Sequence, residues 1–433
     1  MDNPRKLAHS SLIKSDTQEC YTNIEINTVL SRASLEKSDA ALYTLLYLGV
    51  MEKRLLLDKI ICQYSTLPIE KIDTEALNAL RLGIYQLLYT DRIPDYSAVD
   101  ESVNLAPKRA KGFVNGVLRS FIRNGKAVSY PENSWERLSW ESCVPLEIME
   151  IFKASYGEQT ASELLSCAKP FSELSLRVNT LKTTEGEVMA MLKDKGYESE
   201  SSKIARGIVK CAAPISDIKE IIDTGYAFVQ DESSRVCSLV LGAQPGERIA
   251  DTCASPGGKT FSMAIDMKNE GEIIASDLHK NKLSLIEKGA KRLGINIIST
   301  KEQNAKEYVP EYEGSFDRVL CDVPCSGLGV IFKKPDIKYK STKGMAQLPS
   351  VQYAILSNVS KYVKNGGILV YSTCTLCSSE NEENIKRFLK ENSDFEPLDF
   401  KVGDIVSKDG MYTFFPHVTG TDGFFVAKLR RVK

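Results

Sequence analysis

The pattern of apolar and polar residues changes twice along the chain and predicts three regions of different structure. Over roughly the first 130 residues, apolar side chains recur three and four positions apart, which is typical of amphipathic helices. Asp and Pro residues bound these segments, as they often bound helices. We therefore predict an all-α domain over residues 1–135, with helices in DAALYTLLYLGVMEKRLLLDKII, TEALNALRLGIYQLLYTD and SAVDESVNLAPKRAKGFVNGVLRSFIRN.

The helical periodicity breaks at NGKAVSYPENSWERLSW, where Gly, Pro and Asn residues predict a linker. In the mixed segment that follows, LSLRVNT and GIVKCAA have the composition of strands. TEGEVMAMLKDKG has that of a helix, with Thr184 as its N-cap and Gly196 closing it. We predict a linker and a small α+β subdomain over residues 136–235.

From residue 236 onward, short apolar runs alternate with amphipathic helical segments. Such alternation predicts a doubly wound, mainly parallel sheet over residues 236–433. Sheets of this kind bind ligands beyond the carboxyl ends of their strands. The predicted strands are RIAD, EIIASD, NIIST, FDRVLCD, GGILVYS and FFVAKLR.

Length and composition indicate a globular enzyme with several domains. The chain has 433 residues, too many for one ordinary core, with 42% hydrophobic and 26% charged residues. No apolar run reaches membrane-spanning length, and the first residues do not resemble a secretory signal, so we expect a cytoplasmic protein. In that compartment the 11 cysteines are expected to be reduced thiols. Cys374 and Cys377 form a C-x-x-C pair, but no second pair supports a structural zinc.

The charge balance does not by itself indicate nucleic-acid binding. The formal net charge is -1 and the isoelectric point is about 6.4, whereas nucleic-acid-binding domains are usually basic. One basic cluster is a candidate contact for RNA phosphate, and the alternative is an ordinary solvated loop. The cluster comprises Lys333, Lys334, Lys338, Lys340 and Lys343.

A glycine-rich turn follows the first strand of the C-terminal region, in IADTCASPGGKT. Gly257 and Gly258 allow a tight turn close to a ligand, although neither the Walker nor the G-x-G-x-x-G spacing is present. Asp277 ends the next strand, where a carboxylate can bind the hydroxyls of a ribose. The residues fit a nucleoside-bearing cofactor, either NAD or S-adenosylmethionine. Asp277 can instead be a helix N-cap.

Two further strands end in thiols. Asp322, Pro324 and Cys325 follow RVLCD, and Cys374 follows ILVYS. If these strands are neighbours, both thiols face the cofactor pocket. A thiolate that adds to carbon 6 of a pyrimidine makes carbon 5 nucleophilic, so the pair suits methylation of that carbon. Single cysteines at strand ends are more often core residues, and this chemistry does not choose between the thiols.

Several motifs together resemble the Nop2/Sun family of RNA 5-methylcytosine methyltransferases, in its RsmB/Fmu-like branch. The N-terminal stretches LRLGIYQLLYTDRIPDYSAVDESVNLA and FVNGVLR resemble a NusB-like RNA-binding domain. The resemblance covers nearly the whole chain and implies a Rossmann-like methyltransferase domain at the C-terminus. It rests there on DTCASPGGKT, DVPCSGLGVIFKKPDIKY, YSTCTL and GTDGFFVAKL.

The resemblance also implies roles for individual residues. Cys374 would be the nucleophile, Cys325 would assist breakdown of the adduct, and Asp322 would lie between cofactor and base. Asp277 would bind the ribose of S-adenosyl-L-methionine. Asn304 stands where the family usually has an acid, and its amide can donate to an adenine nitrogen. The remaining cofactor residues would be Cys253, Ala254, Ser255, Pro256, Gly257, Gly258 and Lys259, with Ser255 in place of a small apolar residue.

The predicted function is methylation of a cytosine in small-subunit (16S) ribosomal RNA. We expect the RNA to be bound outside the fully assembled subunit, and the chain to be a monomer that needs no membrane and no metal. Three alternatives stay open at this point. They are an inactive RNA-binding relative, an NAD-dependent enzyme and a methyltransferase of transfer RNA.

Overall fold

The computed structural model describes residues 2–18, 20–167 and 173–433, and the chain divides into two compact units. The first, the helical unit, comprises Met1–Lys169 together with Ile331–Lys340. The second, the sheet unit, comprises Pro170–Val330 and Ser341–Lys433. The helical unit is therefore built from two stretches that are distant in sequence.

The helical unit confirms the predicted all-α architecture. Its helices begin at polar caps where the sequence supplies them: the side chain of Asn3 accepts from two backbone amides of the first helix, and Asp73 does the same for the fourth. The helices are α1 (Pro4–Thr17), α2 (Thr22–Arg32), α3 (Lys37–Tyr64), α4 (Thr74–Tyr89), α5 (Asp95–Leu105), α6 (Lys111–Arg123), α7 (Ser134–Ser142), α8 (Leu146–Tyr156) and α9 (Glu158–Ser166).

Helix α7 corrects the linker prediction. Ser134–Ser142 lies inside the stretch that we assigned to a linker, yet it is helical, with the side chain of Asn133 accepting from the backbone amide of Glu136. Trp140 on this helix is buried in the core of the helical unit. The Gly, Pro and Asn residues of the predicted linker all precede this helix, and Asn133 is its N-cap, so the break in periodicity ends where α7 begins.

The core of the helical unit surrounds α4 and includes a buried ion cluster. The guanidinium of Arg81 is 3% exposed and donates to both oxygens of Asp58, at 2.6 and 2.8 Å. It also donates to Asp16 at 2.8 Å. Carboxylates on two neighbouring helical segments thus compensate a cation that is buried among apolar side chains.

The segment Ile331–Lys340 packs in the helical unit, around a 3-10 helix at Pro335–Tyr339. The guanidinium of Arg54 lies over the ring of Tyr339, 4.7 Å from its centre. The backbone amide of Thr22 donates to Asp336 at 3.4 Å. The segment is thus a buried part of this unit rather than a free loop.

This burial corrects the prediction that the whole lysine cluster contacts RNA phosphate. Lys338 is 5% exposed, and burial lowers its pKa to about 8. The Nζ of Lys340 lies 4.5 Å from the ring centre of Tyr21. Lys334 and Lys343 are exposed. The prediction that Lys338 belongs to a phosphate-binding patch is therefore wrong.

The sheet unit begins with the predicted small α+β part. A capping box at Thr184 and Glu187 starts its first helix, and Gly196 follows the helix end with φ of +85°. Both signals were read correctly from the sequence. The elements are β1 (Leu174–Val178), α10 (Glu185–Asp194), β2 (Ser199–Ser201), β3 (Ile208–Cys211), α11 (Lys219–Asp223) and β4 (Ala227–Val229), with strand order β2-β3-β1-β4 and antiparallel pairing.

The larger sheet has the predicted α/β architecture. Its elements are α12 (Glu232–Leu241), β5 (Arg248–Asp251), α13 (Gly258–Asp266), β6 (Glu272–Asp277), α14 (Lys280–Leu293), β7 (Ile298–Glu302), β8 (Phe316–Asp322), α15 (Thr342–Met345), α16 (Leu348–Val359), β9 (Val363–Thr373), α17 (Glu382–Glu391), β10 (Phe395–Pro397), β11 (Lys401–Val402), β12 (Ile405–Val406), β13 (Met411–Phe414), α18 (Pro416–Thr419) and β14 (Phe424–Arg431). In the described residues the strand order is β10-β14-β9-β8-β5-β6-β7, with β13 also paired to β14. Strands β5 to β9 pair in parallel, and β14 is antiparallel to β9.

Both faces of this sheet are covered, as a doubly wound sheet requires. Along β9, Ile368 and Val370 belong to the apolar cluster that includes residues of α12, α13 and α14. Leu369 and Tyr371 belong to the cluster that includes residues of α16 and α17. The alternation of side chains along one strand thus fills two cores, which explains why its sequence is apolar throughout.

Candidate active site

Three acidic side chains meet at one edge of the sheet, and two of them, Asp277 and Asp322, were predicted from the sequence. Asp251, Asp277 and Asp322 are the last residues of β5, β6 and β8, which run in parallel. Asp322 is paired in register with Ser372 of β9. Chain reversal after each parallel strand therefore brings three carboxylates and the loops that carry both thiols to a common edge.

The two thiols lie side by side. The Sγ atoms of Cys325 and Cys374 are 3.2 Å apart, and both side chains are partly exposed. Beside them the hydroxyls of Ser326 and Thr375 are hydrogen-bonded at 2.6 Å. The condition set by the sequence, that the two strands are neighbours, is thus met.

Two glycines hold the loops of the thiols close together. The backbone amide of Gly329 donates to the carbonyl of Cys374 at 3.1 Å, and that of Gly423 donates to the carbonyl of Gly329 at 2.9 Å. A Cβ on Gly329 would lie 2.0 Å from the carbonyl oxygen of Gly423 and 2.9 Å from that of Cys374. This approach of three backbone segments requires glycine, which explains the GLG and TDG motifs.

A buried carboxylate supports the Cys325 loop. Glu380 is 1% exposed, and its Oε2 accepts from the backbone amide of Ser326 at 3.0 Å and from Nε2 of Gln352 at 2.7 Å. The same amide nitrogen of Gln352 donates to the carbonyl of Pro324 at 3.0 Å. The hydroxyl of Tyr371 donates to the backbone carbonyl of Glu380 at 2.6 Å. The carboxylate thus connects the loops after β8 and β9.

Lys259 links the glycine-rich turn to Asp322. Its Nζ donates to Oδ2 of Asp322 at 2.6 Å, while the hydroxyl of Ser372 donates to Oδ1 at 2.7 Å. Burial opposes the charge of Lys259, but Asp322 and the thiol groups of Cys237 and Cys374 raise its pKa above the usual value. Lys259 therefore remains a cation near the thiol of Cys374, and Asp322 is held by two donors.

The glycine-rich turn is stabilised by backbone contacts. The amide of Ala254 donates to the carbonyl of Ser276 at 2.8 Å, and that of Gly257 donates to the carbonyl of Ala254 at 2.8 Å. Gly257 has φ of +106°, and a Cβ there would lie 2.6 Å from the ring of Phe261. Gly258 begins α13, so the turn presents a helix N-terminus at the edge of the sheet.

Asp251 is the most deeply buried carboxylate of this edge. One of its oxygens accepts from the hydroxyl of Thr260 at 2.7 Å, whereas Oδ1 is buried without a hydrogen-bond partner. Burial raises its pKa to about 7. An unsatisfied oxygen at this position fits a site that binds a ligand with donor groups.

Asp277 and Asn304 both make local hydrogen bonds. Oδ1 of Asp277 accepts from the backbone amide of His279 at 3.0 Å, but the N-cap residue of α14 is His279, without a side-chain cap bond, so the N-cap alternative for Asp277 is wrong. Its second oxygen is outside this bond and can accept from a ribose hydroxyl. The amide of Asn304 donates to Glu307 at 2.8 Å. The adenine contact of Asn304 stays a prediction.

The described residues give two further findings. Among residues 2–18, 20–167 and 173–433, no helix is long and apolar enough to cross a membrane. In the same part of the chain, no group of three or more His, Cys, Asp or Glu side chains is arranged to hold a metal ion.

The structure thus brings together the predicted thiols, Asp322, Asp277 and the turn from Cys253 to Lys259. Sequence analysis missed Glu380, Gln352 and Asp251. Asp251 stands within the quoted motif IADTCASPGGKT, and its position at a strand end was an available signal. Glu380 lies in a polar stretch and Gln352 in the mainly apolar helix α16, and only the fold shows that both side chains support the Cys325 loop.

Comparison with protein families agrees with this arrangement. The family described as 16S rRNA methyltransferase RsmB/F matches residues 238–430, and the NusB family matches residues 2–123. A domain described as Methyltr_RsmF/B-like, ferredoxin-like, matches residues 145–216. The predicted fold class is confirmed: a NusB-like all-α domain, a small α+β domain and a Rossmann-like methyltransferase domain.

Relatives extend the similarity over the full chain. The probable ribosomal RNA small subunit methyltransferase B of Bacillus subtilis (strain 168) is 36% identical over 441 residues, covering 99% of this chain and 98% of that protein. The corresponding protein of Synechocystis sp. is 33% identical and covers 100% of both chains. The crystal structure of PH0851 is 27% identical, with a TM-score of 0.83, over 100% of this chain and 99% of that chain.

Proposed function

The chain belongs to the 16S rRNA methyltransferase RsmB/F family, whose methyl donor is S-adenosyl-L-methionine, and on that premise we propose that it methylates carbon 5 of a cytosine in small-subunit ribosomal RNA. The observation that supports this most directly is the pair of thiols 3.2 Å apart, at the sheet edge next to Asp322. In a reaction that forms and then breaks a covalent bond to the base, one thiol can attack and a second can assist release.

In the proposed reaction Cys374 is the nucleophile. Its thiolate forms a bond to carbon 6, and the electron pair of the carbon 5–carbon 6 double bond becomes available at carbon 5. Bound S-adenosyl-L-methionine supplies the methyl group that carbon 5 acquires. A base then takes the proton from carbon 5, the electron pair of that carbon–hydrogen bond restores the double bond, and the carbon–sulfur electron pair returns to Cys374.

Asp322 and Cys325 serve the two halves of this reaction. Asp322, held by Lys259 and Ser372, accepts a hydrogen bond from the exocyclic amino group of the base, or from ring nitrogen 3 once that nitrogen is protonated, and so stabilises the adduct. Cys325 assists the elimination that releases Cys374. Because its Sγ contacts that of Cys374, it is within reach of the same atoms of the base.

The residues at the sheet edge fit S-adenosyl-L-methionine, which carries a sulfonium and an ammonium group. Three acidic side chains, Asp251, Asp277 and Asp322, lie at this edge with Lys259, which is paired with Asp322, so the edge can balance positive charge in a ligand. Asp277 would bind the ribose, and the turn from Cys253 to Lys259 would line the pocket. Asn304 would contact the adenine if its bond to Glu307 opens.

The remaining assignments complete the proposal. Residues 1–135 would supply RNA affinity, the α+β subdomain within 136–235 would also bind RNA, and 236–433 would carry the chemistry. The substrate would be ribosomal RNA before full assembly of the small subunit, bound by a monomer in the cytoplasm. The matches to the NusB and ferredoxin-like families support the first two assignments.

Trapping of the adduct tests this function. The protein is incubated with S-adenosyl-L-methionine and either small-subunit ribosomal RNA or transfer RNA, and covalent complexes are resolved on denaturing gels. Cys325→Ala is expected to accumulate a protein–RNA complex, because the enzyme attacks but does not leave. Cys374→Ala and the double variant are expected to form none and to transfer no methyl group.

Cys377→Ala is the matched control, since Cys377 lies on the same loop as Cys374 and its Sγ contacts Ser379 instead. It should methylate like the wild-type protein and trap nothing. A complex that forms only with Cys374→Ala would exchange the roles of the thiols. Methylation of transfer RNA in preference to ribosomal RNA would refute the proposed substrate.

A further inference from the structure

Neither the sequence nor the thiol distance shows which cysteine carries the negative charge. At 3.2 Å, two thiolates would repel each other strongly, so one sulfur at a time is expected to be ionised. Attack on the base requires the charge on the nucleophile. The surroundings of the two sulfurs must therefore differ in charge, and the structure shows such a difference.

An anion lies on the Cys325 side of the pair. The carboxylate of Glu380 is bound to the backbone amide of Ser326, the residue next to Cys325, at 3.0 Å. The hydrogen bond to Cys374, burial, and the negative charges of Cys374 and Glu380 raise the pKa of Cys325 well above its usual value. Glu380 itself is 1% exposed and held by Gln352, so its charge is fixed in position.

A cation lies on the Cys374 side. Lys259 is held by Asp322, whose other oxygen is bound by Ser372, two residues before Cys374. Lys259 and a Cys374 thiolate attract each other, and this attraction is among the effects that raise the pKa of Lys259. The titratable groups that surround the thiols and Glu380 are Lys259, Asp322, Tyr371 and Cys377.

We propose that Glu380 is a positioning residue that keeps Cys325 in the neutral thiol form, so that the charge of the thiol pair resides on Cys374 opposite Lys259. The inference rests on the proposed function and deepens it. Glu380 touches neither base nor cofactor in this scheme and acts through Cys325. A neutral Cys325 cannot compete for carbon 6, so attack comes from one sulfur.

Alkylation of the free enzyme tests this proposal without RNA or cofactor. Iodoacetamide labelling of each cysteine is followed by mass spectrometry from about pH 6 to about pH 10, because the thiolate is the reactive form. In the wild-type protein Cys374 should react before Cys325. In Glu380→Gln, which keeps a hydrogen-bond acceptor for Ser326 but removes the charge, Cys325 should react roughly threefold faster or more at pH values below its pKa.

Three further variants distinguish an effect of the Glu380 charge on Cys325 from an effect of a loosened Cys325 loop. Glu380→Asp keeps the charge and should restore slow labelling of Cys325. Glu383→Gln removes an exposed carboxylate from the first turn of α17 and should label like the wild-type protein. Gln352→Met removes a neutral donor to Glu380 and leaves the charge. If Gln352→Met speeds the labelling of Cys325 as much as Glu380→Gln does, then loosening of the Cys325 loop, and not the charge of Glu380, controls its reactivity, and the proposal is overturned.

If Glu380→Gln fails to fold, Lys259→Met tests the proposal independently. It should slow the labelling of Cys374, since the cation opposite the thiolate is lost. Unchanged labelling of Cys325 in folded Glu380→Gln, or of Cys374 in folded Lys259→Met, would refute the proposal. Failure of the wild-type protein to methylate RNA would instead refute the proposed function, and this labelling pattern would stand.

Discussion

Replacement of Gly329 by alanine should strongly destabilise the sheet unit, because three backbone segments meet at this residue. The added Cβ would lie 2.0 Å from the carbonyl oxygen of Gly423, whereas close carbon–oxygen contacts are about 3.3 Å or longer. The segments must separate by roughly an ångström, which breaks the hydrogen bonds from Gly329 to Cys374 and from Gly423 to Gly329.

The expected loss follows from these contacts. Each of the two backbone hydrogen bonds contributes about 1 kcal/mol, and overpacking adds about 1–3 kcal/mol, so the free energy of unfolding should fall by about 3–5 kcal/mol. Methyl transfer should fall as well, since the carbonyl that moves is that of Cys374. With an ordinary urea dependence, the unfolding midpoint should drop by about 1 M urea or more.

The assay must report on the sheet unit alone. Both tryptophans, Trp135 and Trp140, lie in the helical unit, so their fluorescence serves as an internal reference. Cys237 and Cys321 are fully buried in the sheet unit, and pulsed alkylation of these thiols at each urea concentration reports its unfolding.

Gly344→Ala is the matched control, because a Cβ at Gly344 meets no atom within 4 Å and the residue lies in α15. It should leave the midpoint unchanged or raise it slightly. A folded Gly329→Ala protein with the same midpoint as Gly344→Ala would refute the steric argument.

Three other substitutions test individual charges. The pKa of Asp251 is raised to about 7, so the folded protein retains a proton that the unfolded chain loses, and the free energy of unfolding should fall as pH rises from about 4 to about 7. Asp251→Asn should remove this fall, which is on the order of 4 kcal/mol at most. Thiol labelling at low and neutral pH measures it. The pKa of Lys338 is lowered to about 8 from 10.5, so the free energy of unfolding of the helical unit should rise as pH increases between those values. Lys338→Met should abolish this rise and leave the salt dependence of RNA binding unchanged. The exposed control Lys343→Met should keep the rise. Arg81→Met leaves the carboxylate of Asp58 without its bidentate partner and should destabilise the helical unit by about 3 kcal/mol in tryptophan fluorescence; an unchanged midpoint would show that the ion cluster is not stabilising.

The sequence predicted the parts of this protein that depend on local signals. Helical periodicity located α3 to α6, and the N-cap signal at Thr184 marked the start of α10. Alternating strands and helices predicted a mainly parallel sheet, and parallel strands bring their carboxyl ends together. That rule was enough to expect Cys325 and Cys374 near each other.

Contacts between residues far apart in sequence could not be predicted from the sequence. Nothing in the stretch SSENEEN indicates that Glu380 is buried against the Cys325 loop while Glu383 is exposed. Likewise, the lysines of Ile331–Lys340 have the composition of a solvated loop, and only the tertiary fold buries Lys338. At both places, packing between distant segments determines which charged side chains are exposed to water, and the local composition does not indicate this packing.

The origin of the helical unit in two distant stretches has a consequence for biosynthesis. Residues 170–330 are translated between them. At about 5–20 residues per second that interval is on the order of ten seconds. During this time the nascent helices lack Tyr339, whose ring packs against Arg54, and Lys338. The N-terminal domain therefore cannot reach its final form when it first leaves the ribosome, and its completion coincides with synthesis of the loop that follows Cys325.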